Sequence, residues 1–217
     1  AVEFSKLLAS HLPDDLNTTY LVNSGTEAME GAIKLARRHT GRSQVIAAKN
    51  AYHGNTMGSL SLMGLEERKS AFRPLIPDIR SIQFNAEEEI QNITEKTAAV
   101  VSETIQGGAG FILPENGYLE KVRKRCNEMG ALLILDEIQP GFGRTGKLFA
   151  FEHFNCPPDI LVIGKGMASG LPVGAFVASH DLMADLKEKP KFGHITTFGG
   201  NPVIAAASLA TLKEITE

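Results

Sequence analysis

Short apolar runs that alternate with longer stretches of helical period constrain this chain more than any other feature. Such alternation marks a parallel sheet covered on both faces by helices. Six runs read as strands: YLVN at 20–23, QVIAAK at 44–49, TAAVVSE at 97–103, ALLILD at 131–136, DILVIG at 159–164 and PVGAFVAS at 172–179. Between them, TEAMEGAIKLARRHTG (26–41) predicts a helix with Thr26 near its start and Gly41 as its stop, and ENGYLEKVRKRCNEMG (115–130) predicts another closed by Gly130. Asn201 and Pro202 are placed to cap and begin a last helix. The acidic triplet at 87–89 is read as the exposed start of a short helix. No internal repeat or linker interrupts the chain, and 217 residues that are 43% hydrophobic are enough to bury one good core.

Charge and cysteine usage exclude several classes. A net charge of -3, with no Lys/Arg cluster longer than a triplet, argues against nucleic acid as a partner. Cys126 and Cys156 form no CxxC pair, and two such thiols point to a reducing compartment, so a cytoplasmic location is expected. No apolar run reaches membrane-spanning length, and AVEFSKLL resembles no signal peptide. The chain lacks an initiator Met, and SLATLKEITE stops inside a helical pattern, which together suggest a piece of a longer polypeptide.

The segment ILDEIQPGFGRTGK (134–147) contains a letter-for-letter GxGxxG. A dinucleotide fingerprint needs its first glycine at the strand end and a helix after the last. Here DEIQP separates the strand from Gly141, and KLFAFEHFNCPPD follows in place of a clean helix. A triphosphate loop fails too, because Leu148 stands where a hydroxyl would hold magnesium. What remains is Asp136-Glu137, two acids at the end of a very apolar strand, where an acid either caps a turn or faces a ligand.

Other strand ends carry matching chemistry. DILVIG runs into Lys165, and a lysine that forms an imine with a pyridoxal aldehyde, with an aspartate that keeps the pyridine nitrogen protonated, are the two groups such chemistry requires. NSGTEA at 23–28 follows a strand and opens a helix; its small residues admit backbone N–H groups to a phosphate, with Ser24 and Thr26 adding hydroxyls. Tyr52-His53-Gly54, after the QVIAAK strand, supplies an aromatic face.

Together, DEIQPGFGRTGKLFAFEH, DILVIGKGMASGLPVGAF, NSGTEAMEGAIKLAR, AYHGNT and TTFGGNP resemble the class-III branch of the pyridoxal-phosphate aminotransferases, which includes the acetylornithine, ornithine and omega-amino-acid enzymes. The motifs stand in the family's order from about residue 20 to 205. The resemblance implies an α/β protein, the large domain of fold type I, with a mostly parallel seven-stranded sheet between helices. Residues 1–217 would make up that domain, with the family's N-terminal segment and smaller C-terminal domain outside the chain. It implies pyridoxal 5'-phosphate as cofactor and ping-pong transfer between an amino donor and a 2-oxo acid acceptor. By the same resemblance Lys165 is the imine-forming lysine and Asp136 the partner of the ring nitrogen. Ile138 and Tyr52 would flank the ring, Gln139 would bond its phenolic oxygen, and Ser24, Gly25 and Thr26 would form the phosphate loop. Thr197 would reach the phosphate of a neighbouring subunit's cofactor, implying a homodimer with shared sites. His53 and Glu103 are expected to support that set from behind, and no histidine has metal-ligand spacing.

Two positions depart from the family pattern. Asn55 stands where many members have an Arg that grips a carboxylate, and Gly108 where many have an acid that acts as a switch for an arginine of the small domain. Transamination survives both changes, whereas the usual assignment of acetylornithine, ornithine or 4-aminobutyrate with 2-oxoglutarate does not follow. A racemase, mutase or decarboxylase of the same fold would use Lys165 and Asp136 equally, and a non-catalytic module would need neither.

Overall fold

The computed structural model describes residues 1–188 and 190–217. In chain order the regular elements are helix α1 (Val2–Ser10), strand β1 (Thr18–Val22), α2 (Gly25–Thr40), β2 (Gln44–Ala48), α3 (Met57–Ser61), β3 (Ile79–Ile82), β4 (Thr97–Glu103), α4 (Tyr118–Met129), β5 (Leu132–Asp136), β6 (Ile160–Gly164), β7 (Gly174–Ala178), α5 (His180–Ala184) and α6 (Pro202–Thr216). Short 3₁₀ turns fill several connections, among them Glu87–Asn92, Ala150–His153 and Lys165–Ala168.

The strands form one seven-stranded sheet in the order β1-β7-β6-β5-β4-β2-β3. Only β7 runs against its neighbours, β1 and β6; the other pairings are parallel. Strands β2, β4, β6 and β7 are buried at every position, as strands covered on both faces must be. One face packs on α2 through Met29, Leu35, Ile134, Val162 and Phe176, and the other on α1, α4 and α6 through Phe4, Leu119, Leu133, Leu161 and Leu212. Each such side chain contributes ~1.5–3 kcal/mol of burial.

The helix boundaries follow from local chemistry. Ser24 caps α2 by accepting from Glu27 N at 3.3 Å, and Gly41 ends the helix at φ +66°. Gly130 closes α4 in the same left-handed conformation. Asn201 caps α6 by accepting from Ile204 N at 3.1 Å, with Pro202 at the first helical position. All six expected strands are present, and β3 is added. β3 escapes pattern reading because Arg80 and Ser81 face solvent on an edge strand, leaving no apolar run. Helix α1 also lies outside the expected elements, buried through Phe4 and Leu8 four residues apart. No helix among the described residues is long and apolar enough to cross a membrane.

Candidate active site

The pleat of two neighbouring strands decides where the site's acids go. Side chains alternate between sheet faces, and Glu103 of β4 pairs in register with Asp136 of β5. Both therefore continue the row of Val101 and Ile134 on the α2 face, and both are nearly buried, 4% and 3% exposed. The next residues, Thr104 and Glu137, turn to the opposite face, where Thr104 Oγ1 donates to Glu137 Oε1 at 2.7 Å.

On the α2 face a cavity of about 230 Å³ opens at the carboxyl ends of the parallel strands, the place where open α/β sheets bind ligands. It is lined by Gly25 and Thr26 from the start of α2, Tyr52 to Asn55 after β2, Glu103, Asp136, Ile138 to Pro140 after β5, and Lys165 after β6. Asp136 is held from two sides: its Oδ1 accepts from Ile138 N at 3.0 Å, and its Oδ2 lies 2.8 Å from His53 Nδ1. With the Nδ1 proton donated to Asp136, buried His53 Nε2 has no protein partner. Glu103 joins two loops, accepting from Tyr52 N and Gly107 N, each at 3.1 Å. Burial raises the Glu103 carboxyl above its ordinary value and Asp136 adds to the rise, while His53 and the two backbone N–H groups oppose it.

Lys165 leaves β6 at φ +43°, a conformation sparsely populated by residues with a Cβ and concentrated at functional sites. Its Nζ donates to Gln139 Oε1 at 3.2 Å, across the cavity mouth. At the other end, Gly25 begins α2 against Ile138; a Cβ there would overlap the Ile138 side chain. The start of α2 consequently presents bare backbone to the cavity, with the favourable partial charge of a helix N-terminus behind it.

The cavity thus gathers Gly25, Thr26, Tyr52, His53, Glu103, Asp136, Ile138, Gln139 and Lys165, nine of the eleven residues that the resemblance assigned to the site. Ser24 lines an adjoining open groove with Asn23, Arg144 and the other side of Lys165. Thr197 lies outside the cavity, exposed on the segment before α6. Gln139 meets Lys165, an arrangement its expected role did not include. Glu103 is a wall residue, more than support from behind, and its position closing an apolar strand beside Asp136 is the signal that could have placed it. Gly108 sits behind the wall, where a Cβ would come 3.2 Å from Tyr52 Cβ. Among the described residues, no cluster of His, Cys, Asp or Glu is arranged to hold a metal ion.

The GFGRTG segment folds as a series of turns with positive φ at Phe142, Gly143 and Gly146, followed by the 3₁₀ turn Ala150–His153. Glu137 organises it from inside, accepting from Ala150 N at 2.9 Å and Phe151 N at 2.8 Å. Burial pushes the Glu137 carboxyl up to about 7, against these hydrogen bonds and that from Thr104.

The family described as aminotransferase class-III matches residues 1–217, the entire chain. The chain belongs to that family. It is 43% identical to an acetylornithine aminotransferase of Methanopyrus kandleri over 216 residues, which cover 99% of this chain and 55% of the relative. A transaminase from the marine bacterium Virgibacillus superposes with a TM-score of 0.90 at 30% identity, covering 99% of this chain and 53% of that one. The ornithine aminotransferase of Toxoplasma gondii, reported with partial occupancy of PLP at its active site, superposes at 0.86 with 33% identity over 97% of this chain and 52% of its own. The chain therefore spans about half the length of these relatives.

Proposed function

We propose that the cavity holds pyridoxal 5'-phosphate and that the protein transfers an amino group from an amino donor to a 2-oxo acid. The observation that carries this reading is the placement of Lys165 Nζ and the buried Asp136 carboxylate at the ends of two paired strands, facing one cavity beside the bare start of α2. The residues present suit the group: an amine for its aldehyde, a buried carboxylate for its ring nitrogen, and backbone N–H groups with the Thr26 hydroxyl for its phosphate. Ile138 and Tyr52 suit the two faces of its ring.

When bound, pyridoxal phosphate supplies an aldehyde that condenses with amines and an electron-poor ring that accepts charge from the substrate carbon. Asp136 would keep a proton on the ring nitrogen by Coulomb attraction at close range in a dry site. His53 fixes that carboxylate, so little reorganisation is needed when charge develops. Lys165, when not joined to the cofactor, would be placed to move a proton between the substrate carbon and the cofactor's C4′ carbon. Gln139 holds the lysine Nζ at the mouth when it is free.

The names of the relatives point to ornithine-type or omega-amino donors, but Asn55 faces the cavity where the family's usual arginine would grip a carboxylate. We infer a donor wall less selective for acidic substrates. Thr197 and the exposed Phe192, Ile195 and Phe198 around it support a second copy of the chain as partner, with Thr197 carried to the neighbour's cofactor. The segment is braced for such a role: Tyr20 Oη donates to His194 O at 2.6 Å and Asn23 Nδ2 to Thr196 Oγ1 at 3.0 Å. Free, buried Cys126 and Cys156 support a reducing, cytoplasmic location.

The test is spectroscopic. Full-length protein reconstituted with pyridoxal phosphate is expected to absorb in the visible, to lose that band with an amino donor and to regain it with a 2-oxo acid. Borohydride reduction and peptide mapping should place the cofactor on Lys165. A label on another lysine, such as Lys147, or a band that never responds to donors, would overturn the proposal.

A further inference from the structure

Thr26 and Glu30 lie four residues apart on α2 and so share the helix face turned toward residues 54–59. Three hydroxyls meet there. Thr26 Oγ1 is 2.7 Å from both Thr56 Oγ1 and Ser59 Oγ, which are 3.1 Å from each other. Glu30 Oε1 accepts from Thr56 Oγ1 at 2.5 Å and from the N–H groups of Gly58 and Ser59 at 2.8 and 3.0 Å. This approach requires Gly54 and Gly58, where a Cβ would overlap Thr26 Oγ1 and the Glu30 carboxylate respectively. Glu30 itself does not line the cavity.

Proton counting gives the cluster a direction. Each hydroxyl has one proton to donate, and that of Thr56 goes to Glu30, the charged acceptor. Thr56 Oγ1 can therefore only accept within the triangle. Thr26 Oγ1 is within reach of two donors from behind, Thr56 N–H at 3.3 Å and Ser59 Oγ–H, whose one proton is shared with Thr56 O at 3.1 Å. Of the three hydroxyls, only that of Thr26 lines the cavity, so its proton is the one able to turn toward a ligand. A carboxylate behind an anion site is unfavourable through space, so orientation and charge predict opposite effects for its removal.

We infer that Glu30 is a positioning residue: by holding Thr56 and the start of α3, it orients the hydroxyl triangle so that Thr26 offers a donor to the phosphate of the cofactor. This inference rests on the reading of the cavity as a pyridoxal phosphate site. Its test separates the two. Cofactor-free, full-length protein is titrated by absorbance with pyridoxal 5'-phosphate and, separately, with pyridoxal, which lacks the phosphate. The wild type is expected to prefer the phosphorylated ligand by about a hundredfold. Glu30→Ala and Thr56→Val should each lower affinity for pyridoxal phosphate about tenfold, leaving pyridoxal unchanged, which also verifies that the site is folded. Glu30→Gln keeps an acceptor oxygen for Thr56 and should recover most of the loss. Equal weakening of both ligands would reduce Glu30 to a brace of the loop and overturn the inference, as would unchanged or tighter binding of pyridoxal phosphate in Glu30→Ala. A wild type without preference for the phosphorylated ligand would instead sink the cofactor reading, and the inference with it.

Discussion

Asp136 and Glu137 are chemically alike, adjacent and both buried, yet they belong to two different regions of the molecule. The pleat of β5 sends Asp136 to the cavity side and Glu137 to the interior side. Asp136 ends against one histidine and one backbone N–H, in a wall shared with an open cavity. Glu137 is saturated by one hydroxyl and two backbone N–H groups of the same fold. The difference teaches that burial of an acid at a strand end is not the functional signal; what the neighbouring groups leave unsatisfied, and toward which space, is. Cavity-side changes should cost chemistry and little stability, and interior-side changes the reverse.

Lys165→Ala should break the comparison furthest toward chemistry. The side chain is exposed and packs no core, so stability should stay within ~0.5 kcal/mol of wild type. Turnover should fall by at least about 10⁴-fold, since both nucleophile and proton carrier are lost. Single-turnover kinetics with parallel thermal unfolding of the full-length protein measures both; substantial residual turnover would remove Lys165 from the proposed role.

Asp136→Asn is the next largest. The amide cannot hold the ring proton by charge, and the ~3–5 kcal/mol lost when a buried charge partner is removed corresponds to about 150- to 5000-fold in turnover. Stability should change little. His53 can shift its proton to the partnerless Nε2 and accept from the new amide through Nδ1. Near-normal turnover at saturating cofactor would show that the cavity side of β5 carries no chemistry.

How much of this was legible in the sequence follows the same division. Apolar runs located β4, β5 and β6, and their ends put Asp136 and Lys165 at one sheet edge before any coordinates. Thr26 and Gly25 were legible because a helix start is a local signal. Glu103 was legible only as support and Glu137 only as the second of two acids at a strand end, because the register of β4 against β5 decides their faces, and one sequence does not contain a register. Glu30 was hidden for a related reason: its partners Thr56, Gly58 and Ser59 lie 26 to 29 residues away, in a loop without periodicity. Thr197 was proposed from the motif alone, and it lies outside this chain's own cavity.

Glu137→Gln sharpens the interior side. Its folded value of about 7 exceeds the ordinary 4.5 because of burial, so the folded protein binds this proton more tightly than the unfolded chain does. The sign follows: stability from this group is full below pH 4.5 and falls as pH rises toward 7, by about 3 kcal/mol in all. Glutamine cannot titrate, but it can turn only one oxygen to three donors, so Ala150 N or its counterparts lose an acceptor at a cost of ~1–3 kcal/mol. The variant should be the less stable protein at pH 5, and the gap should close or reverse by pH 8, with cofactor affinity unaffected. Denaturant unfolding at the two pH values measures it; a pH-independent gap would mean that Glu137 is ionised throughout.

The smallest effect belongs to the cavity rim, where Asn55 is exposed and tests whether the cavity side also sets selectivity. A substrate carboxylate near Asn55 gains a neutral hydrogen bond worth ~0.5–1.5 kcal/mol, against ~1.5–3 kcal/mol for one with a charged donor. Asn55→Arg should therefore shift the ratio of kcat/KM toward acidic substrates by about tenfold, the equivalent of ~1.4 kcal/mol. Gly108 adds to this expectation, since the family's acid is missing at a position that backs Tyr52. The measurement is a half-reaction panel of mono- and dicarboxylate amino donors, then pyruvate and 2-oxoglutarate as acceptors, in wild type and variant full-length protein. Because Asn55 is exposed and the loop behind it is held by Glu103 at Tyr52 N, the substitution should not disturb Asp136 or the fold. An unchanged preference would confine the cavity side of β5 to chemistry and assign selectivity to residues other than Asn55.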